Sequence, residues 1–307
     1  MGFLLSIWFR RFRDRYDSSM NAPVAVVVPT HDRAAVLGRA LESVLEQTVR
    51  PAQCLVVDDG SSDGTADLVR RSFPEVSYLK QPHRGVSAAR NLGIRHARAP
   101  WVAFLDSDDC WLPGKLEQQL DALDGTDFAI CHSDEIWIRH GRRVNPMRKH
   151  RKRGGWIYRH CLPLCAISPS TSMVRRELLE EIGGFDESLP ACEDYDLWLR
   201  LCAGYPVLFL DRPLVIRYGG HADQLSSRHW GMDRFRVAAL EKMLEAPQLS
   251  ACERRRTLET LTEKLEILVN GARKRRNTAV LDEYLPRLER CRELLDGPAR
   301  HAGGVAR

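Results

Sequence analysis

The side chains best equipped for chemistry in this 307-residue chain are carboxylates, and they come in groups: Asp58-Asp59 ahead of Gly60-Ser61, Asp106-Ser107-Asp108-Asp109, and Glu193-Asp194. Hard carboxylate oxygens suit Mg or Mn. Such ions keep waters and phosphate oxygens in their shell, so one or two protein ligands are enough. A carboxylate at a strand end can also accept a hydrogen bond from a ligand N–H. One at a helix start is held ionised by the helix dipole and can take a proton. Asp, Gly and Ser all favour turns, so any one cluster alone reads equally well as an ordinary turn. What distinguishes them is where the surrounding elements put them.

From Pro23 onward, strand-like and helix-like patterns alternate. Val24 to Val28 is a continuous apolar run of the kind buried on both faces of a parallel sheet, and Val36, Leu37, Ala40, Leu41, Val44 and Leu45 follow at helical spacing. Cys54 to Val57 predicts a second strand, Thr65 to Arg71 a short helix, Val76 to Leu79 a third strand, Val86 to Arg98 a helix, and Trp101 to Leu105 a fourth strand. This order implies right-handed βαβ units, and ligands of open α/β sheets bind beyond the C-terminal strand ends. Three such ends carry polar clusters: Pro29-Thr30-His31-Asp32, Asp58 to Ser61, and Asp106 to Asp109. They should gather along one sheet edge.

Further on, the patterns predict a helix after Pro113 through Leu123, a strand Phe128 to Cys131, a hairpin from Ile136 to Ile138 turning at Gly141, and a basic loop Arg148 to Gly155. A strand Thr171 to Val174, helices Arg175 to Ile182 and Glu193 to Cys202, and a late strand Val207 to Leu210 follow. From Met232 the pattern changes to long helical runs such as Leu258, Leu261, Leu265 and Leu268. The expected organisation is a short extension over 1–19, one α/β domain over 20–231 and a helical segment over 232–307.

Val26-Val27-Val28-Pro29-Thr30, Val56-Val57-Asp58-Asp59-Gly60-Ser61, Ala89-Arg90-Asn91, Phe104 to Asp109, Gly183-Gly184-Phe185-Asp186-Glu187 and Glu193-Asp194-Tyr195-Asp196-Leu197-Trp198 occur in this order. Together they resemble a family-two glycosyltransferase of the GT-A fold, over about residues 23 to 225. The resemblance implies an α/β fold with a mixed, mostly parallel central sheet, and inverting transfer of a sugar from a nucleotide-sugar donor, UDP-linked, to an acceptor hydroxyl. It implies that Asp59 accepts the uracil N3–H while Asp58 orients the loop, and that Pro29, Thr30 and Asp32 belong to the nucleotide site. Asp106-Ser107-Asp108 resembles the family's D-x-D motif, with Asp108 a direct Mn or Mg ligand and Asp106 acting on the ribose or through water. His221 falls where members of the fold often supply a late histidine to the metal; a lone histidine is equally a surface or packing residue. Arg84 and Arg90 flank the helix opening near Gly85 and could face the phosphates. Asp194 is the expected catalytic base. Asp196, two residues along a helix, would point about 200° away.

Composition excludes several classes. With 46 basic and 41 acidic side chains and 44% hydrophobic residues, the chain is neither disordered nor membrane-embedded. The excess of positive charge lies at the ends, four Arg against two Asp in 1–19 and sixteen basic against twelve acidic in 232–307, so nucleic acid is not an expected partner. Nine scattered Cys with no CxxC pair fit reduced thiols in a cytoplasmic compartment. The apolar run Phe3 to Phe9 with Arg10, Arg11, Arg13 and Arg15 is too short to span a bilayer. It reads either as a surface-lying amphipathic helix at the inner face of the membrane or as a loose extension upstream of Met20. Arg139 to Ser172 is basic and aromatic, which suits an acidic or lipid-phosphate acceptor or a cell-envelope polysaccharide alike.

Two other functions use similar residues. A nucleotidyltransferase acting on sugar phosphates would be expected to carry a Gly-rich, Lys- or Arg-bearing loop after the first strand, and Pro29 to Arg33 lacks that glycine cluster. A non-catalytic sugar-nucleotide-binding scaffold would not need an acid at position 194.

Overall fold

The computed structural model describes residues 21–145, 147–220 and 229–296. The expectations for 1–19 and for His221 fall outside these residues.

Nine strands form one sheet: β1 (Ala22–Thr30), β2 (Pro51–Asp58), β3 (Ser77–Lys80), β4 (Trp101–Phe104), β5 (Cys110–Trp111), β6 (Ile130–Arg139), β7 (Arg142–Val144), β8 (Ser172–Arg175) and β9 (Leu208–Gly219). Their order is β3-β2-β1-β4-β8-β6-β9-β5, with β7 on β6. The strands β3, β2, β1 and β4 are parallel. β8 runs antiparallel to both β4 and β6, and β6 is again parallel to β9.

The valine run behaves as a strand buried on both faces. Ala25 and Val27 join one apolar core, with Leu55, Val57, Val102 and Phe104; Val24, Val26 and Val28 join the other, with Val56, Ala103 and Leu105. This is the period-two alternation of a strand, and fully burying each valine stabilises by about 1.5–3 kcal/mol.

The helices α1 (Ala34–Leu45), α2 (Thr65–Ser72), α3 (Val86–His96) and α4 (Lys115–Leu123) follow β1, β2, β3 and β5. A Cβ at Gly93 of α3 would overlap the Val27 side chain, so glycine alone lets this helix lie so close to β1. The later helices are α5 (Tyr158–Cys161), α6 (Arg176–Glu181), α7 (Glu193–Gly204), α8 (Asp233–Leu244), α9 (Ala251–Arg275) and α10 (Thr278–Asp296).

The helices α8, α9 and α10 that follow Met232 do not stand apart from the sheet. Val237, Leu240, Leu261, Leu265 and Leu288 share the core that holds Tyr195, Trp198 and Leu201 of α7. Tyr158 of α5 and Thr257 of α9 join their hydroxyls at 2.7 Å. None of the nine cysteines is paired, and among the described residues no helix is long and apolar enough to cross a membrane.

Several strand boundaries differ from expectation, two of them in the second half of the sheet near the site. β6 starts at Ile130, and β9 continues to Gly219 although Asp211-Arg212-Pro213 reads as a chain break. The β6–β9 register shifts around Asp134, which stands opposite Pro213, so a bulge accommodates the proline where no ladder N–H is available. This continuation carries Arg217 and Tyr218 to the site.

Candidate active site

A cavity of about 920 Å³ opens beyond the C-terminal ends of β1 and β4, lined among others by Pro29, Thr30, Asp59, Asp106, Asp108 and Asp194. The end of β1 and the start of the next loop are tied together: Thr30 pairs with Asp58, and the Asp59 N–H donates to the Thr30 carbonyl at 2.8 Å. Thr30 and Ser87 both line the cavity, and their buried hydroxyls have no partner among the described residues, as expected of groups that meet a ligand. Ser87 sits in the first turn of α3. The positive end of that helix, uncapped by any side chain, suits a phosphate.

The two aspartates of the second cluster divide their work. Asp58 is fully buried; it accepts from the Ser61 N–H at 2.7 Å and from the Tyr78 hydroxyl, and it does not line the cavity. These contacts tie Asp58 to the turn at Ser61 and to β3. Asp59 lines the cavity but is heavily engaged: its carboxylate accepts from Gln81 Nε2 at 2.7 Å, from the Arg84 and Gly85 N–H groups at 2.8 Å, and faces His83 Nδ1 at 2.8 Å. These fill about four acceptor sites. The exposed His83, stacked on His31 with centroids 4.1 Å apart, is the partner most readily displaced by a base N–H.

Asp32 departs from expectation. Its φ is +51°, and its Oδ1 accepts from the Ser62 N–H at 2.7 Å, which lowers its pKa; the side chain clasps the 61–63 loop and stands off the cavity wall. It braces the 61–63 loop from behind the cavity. Arg84 lines the cavity and pairs with Glu187 at 2.8 Å.

At the end of β4, Asp106, Asp108 and Asp109 all face the cavity. Asp109 is buried, accepting from the Ser170 hydroxyl at 2.6 Å and the Tyr218 N–H at 3.0 Å. Burial, then the charges of Asp106 and Asp108, raise its pKa well above the usual carboxylate range. So much negative charge in one place fits a cation. Among the described residues no three His, Cys, Asp or Glu side chains form a ready-made metal cage; the carboxylates of Asp106, Asp108 and Asp109 line one wall of the cavity, and hard oxygens of this kind would suit Mn or Mg that takes its remaining ligands from elsewhere.

Arg90 lies under this cluster. It is buried and donates to Asp106 Oδ1 and Glu193 Oε1, both at 2.7 Å. It lines the cavity and ties the β4 loop to α7.

The start of α7 sorts three acids. Glu193 is committed to Arg90. Asp196 is 1% exposed and held by Arg200 and Lys242, each at 2.7 Å. Asp194 lines the cavity; its Oδ1 accepts from the Tyr195 N–H at 2.7 Å and its Oδ2 from the Cys165 thiol at 3.2 Å. Burial and the Asp194 charge raise the Cys165 pKa and keep it a donor. The preceding Cys192 has φ +60°, an unusual backbone for a non-glycine residue at the entrance to this helix.

The structure therefore brings Pro29, Thr30, Asp59, Arg84, Asp106, Asp108 and Asp194 to one cavity, and leaves Asp32 and Asp58 behind it. Sequence reasoning missed Arg217 and Tyr218, hidden beyond Pro213, and Met232 and Arg236, which line the cavity from the start of the helical segment.

The family model for glycosyl transferase family 2 matches residues 25–183, which is more than half of the chain. The chain belongs to this family. A second model, glycosyltransferase-like family 2, matches residues 157–246 and so runs on into α8. An uncharacterized glycosyltransferase of Rickettsia felis is 30% identical over 194 residues, 62% of this chain and 32% of that protein. The chain thus spans about a third of this relative's length. An Escherichia coli protein, UDP-Glc:alpha-D-GlcNAc-diphosphoundecaprenol beta-1,3-glucosyltransferase WfgD, is 29% identical over 180 residues, 58% of this chain and 69% of its own. Staphylococcus aureus TarS in complex with UDP-GlcNAc superposes with a TM-score of 0.71 at 18% identity, covering 90% of this chain and 84% of that one. The mannosyltransferase PcManGT of Pyrobaculum calidifontis, in complex with GDP-Man and Mn2+, gives 0.56 at 20% identity over 95% and 92%. The fold of this family-2 chain is of the GT-A type.

Proposed function

We propose that the protein transfers a sugar from a UDP-linked donor to an acceptor hydroxyl with inversion, in a metal-dependent reaction. The observation that carries this is Asp194, a carboxylate facing the same cavity as the Asp106–Asp109 cluster while its neighbours Glu193 and Asp196 are tied down by Arg90 and by Arg200 and Lys242.

In this reading the nucleotide lies against Pro29, Thr30 and Asp59, and its diphosphate runs between the start of α3 and the Asp106–Asp108 loop. The metal, when bound, offsets the charge that grows on the leaving diphosphate. Asp194 takes the proton of the acceptor hydroxyl as that oxygen bonds to the anomeric carbon and the carbon–oxygen bond to the diphosphate breaks, its electron pair leaving with the nucleotide. A single uncommitted carboxylate suits direct displacement, which inverts the sugar. Arg90 fixes the distance between the two halves of the site.

The UDP preference draws support from the WfgD name and the ligand of the TarS complex. The WfgD name also supports a lipid-linked acceptor, and with such an acceptor the reading extends to cell-envelope polysaccharide assembly at the cytoplasmic face of the membrane. The excess positive charge of 1–19 and 232–307 would help hold such an enzyme at anionic lipid, by about 1 kcal/mol per well-placed Lys or Arg.

The decisive experiment is nucleotide release from UDP-, GDP- and dTDP-sugars with and without Mn. Release from a UDP-sugar, stimulated by Mn and abolished by chelation, is expected; no release from any donor would favour the binding-scaffold reading.

A further inference from the structure

On the far side of Asp194 lies a second cavity of about 280 Å³, sharing Cys165, Asp194, Arg217 and Arg236 with the first and otherwise lined by residues of β6, the 150–152 segment, the 164–168 segment and Gly219 of β9. Its chemistry differs from that of the donor cavity. Four cationic side chains, Arg139, Lys152, Arg217 and Arg236, face two acids, Glu135 and Asp194.

The acids reach three of the four cations: Arg236 is paired with Asp233 at 2.7 Å, Lys152 with Glu135, and the charges of Glu135, Asp109, Asp106 and Asp194 act on Arg217, which leaves Arg139. Glu135 is taken by Lys152 at 3.1 Å, and reaches Arg217 only at 3.8 Å. Arg139 has no carboxylate partner among the described residues; its guanidinium lies 5.3 Å from the Trp137 ring centroid. Arg217 approaches the same ring at 5.5 Å, because the β6–β9 register pairs Trp137 with Arg217. The His150 ring is 5.2 Å from it. Two guanidiniums and an imidazole thus gather around one indole.

The surroundings reinforce the sign. Between Ile136 and Arg176 the chain contains eleven Lys and Arg and no Asp or Glu, in a protein whose overall charge is only +5. Burial, then the charges of Lys149, Arg217 and Arg139, lower the His150 pKa, a local sign of positive potential. A field of this kind, at the mouth of a cavity one side chain away from the proposed base, recognises a dianion.

We propose that this cavity is an acceptor subsite that takes a phosphate group of the acceptor, held by Arg139, Arg217 and His150 against Trp137, so that the acceptor hydroxyl reaches Asp194. The proposal rests on Asp194 being the base of a glycosyl transfer. The phosphate belongs either to a lipid-linked saccharide or to a soluble phosphorylated one.

The test uses the full chain saturated with UDP and Mn, so that the donor diphosphate position is filled, and reads binding by titration calorimetry. The probes are glycerol 3-phosphate, farnesyl phosphate in neutral detergent, and glycerol. Both phosphates are expected to bind and glycerol not to. Arg139→Gln and His150→Ala are each expected to weaken phosphate binding about tenfold, with UDP affinity serving as the folding control. Farnesyl phosphate binding much more tightly than glycerol 3-phosphate assigns the group to a lipid-linked acceptor; equal affinity assigns it to a soluble one. Phosphate binding undiminished in both variants, or no phosphate binding at all, overturns the subsite. So does Arg139-dependent binding to phosphatidylglycerol vesicles without binding of either phosphate, which would make the patch a membrane contact. Because binding is read without turnover, failure of the transfer reading shows separately, as an Asp194→Asn variant with undiminished activity.

Discussion

Glu193 Oε1 accepts a 2.7 Å hydrogen bond from Arg90 Nη1 in the wall of the cavity, and the two side chains are almost completely buried. Since the other arm of the same guanidinium holds Asp106, this contact sets the spacing between the acidic loop after β4 and the start of α7. Burial, then the neighbouring Asp194 charge, push the Glu193 carboxyl up to about 7, against the pull of Arg90. A group whose pKa rises from 4.5 on folding binds its proton more tightly in the folded state. Its contribution is therefore full below about pH 4.5 and is lost as pH rises through about 7. Between about pH 5 and 7, unfolding free energy from urea titrations is expected to fall more steeply for the natural chain than for Glu193→Gln, the difference approaching ~1 kcal/mol per pH unit. Parallel pH profiles would show that Glu193 is already ionised across this range.

Asp59 and Asp108 are expected to fail differently. Asp59→Ala removes the acceptor that holds the 81–85 segment against the nucleotide site, so UDP affinity should drop about tenfold or more with or without Mn. Asp108→Ala should leave metal-free UDP binding in place and remove the gain that Mn provides. Titration calorimetry separates the two; a metal-dependent UDP affinity in Asp108→Ala would exclude it as a ligand.

Gly93→Ala reverses a familiar sign. In an exposed helix interior alanine is favoured over glycine by about 1 kcal/mol, but here the added methyl meets the Val27 side chain in the core under β1. Overpacking of this kind costs about 1–3 kcal/mol, so a net loss of stability is expected from urea midpoints. A rise in midpoint would mean that α3 can move off the sheet without penalty.

The parts of the fold that could be read directly were those in which local pattern and burial coincide. Val24 to Val28 is apolar at every position because both faces of β1 are covered, and the acidic clusters could be placed because they end such runs. What stayed hidden depends on contacts between distant segments. Pro213 reads as a terminator unless one knows that it sits at a bulge opposite Asp134, and with the second half of β9 went Arg217 and Tyr218. Asp32 reads as a ligand because it follows a strand end; only the loop folded against it, through the Ser62 N–H, shows that its carboxylate is spent on structure. Arg90 carries no signal of burial in its own helix, since both acids that pay for its desolvation lie elsewhere in the chain.

The last prediction concerns the base itself. The three acids at the start of α7 lie within four residues, and a helix N-terminus favours all of them equally, so sequence position cannot choose among them. Their partners can. Glu193 Oε1 is held by Arg90 and Asp196 is enclosed by Arg200 and Lys242, so each is turned toward a cation of the protein. Asp194 has a thiol and its neighbour's N–H as partners, and borders both cavities. Asp194→Asn keeps the shape of the side chain and removes its basicity. Turnover is expected to fall by about 10² or more while UDP affinity in the presence of Mn stays within about twofold of the natural chain. Asp196→Asn should instead lower the thermal midpoint through its loss of charge against Arg200 and Lys242, with a smaller effect on turnover per folded molecule. If single-turnover measurements ranked the two the other way, with Asp194→Asn transferring sugar at close to the natural rate, the base would have to be sought outside this helix.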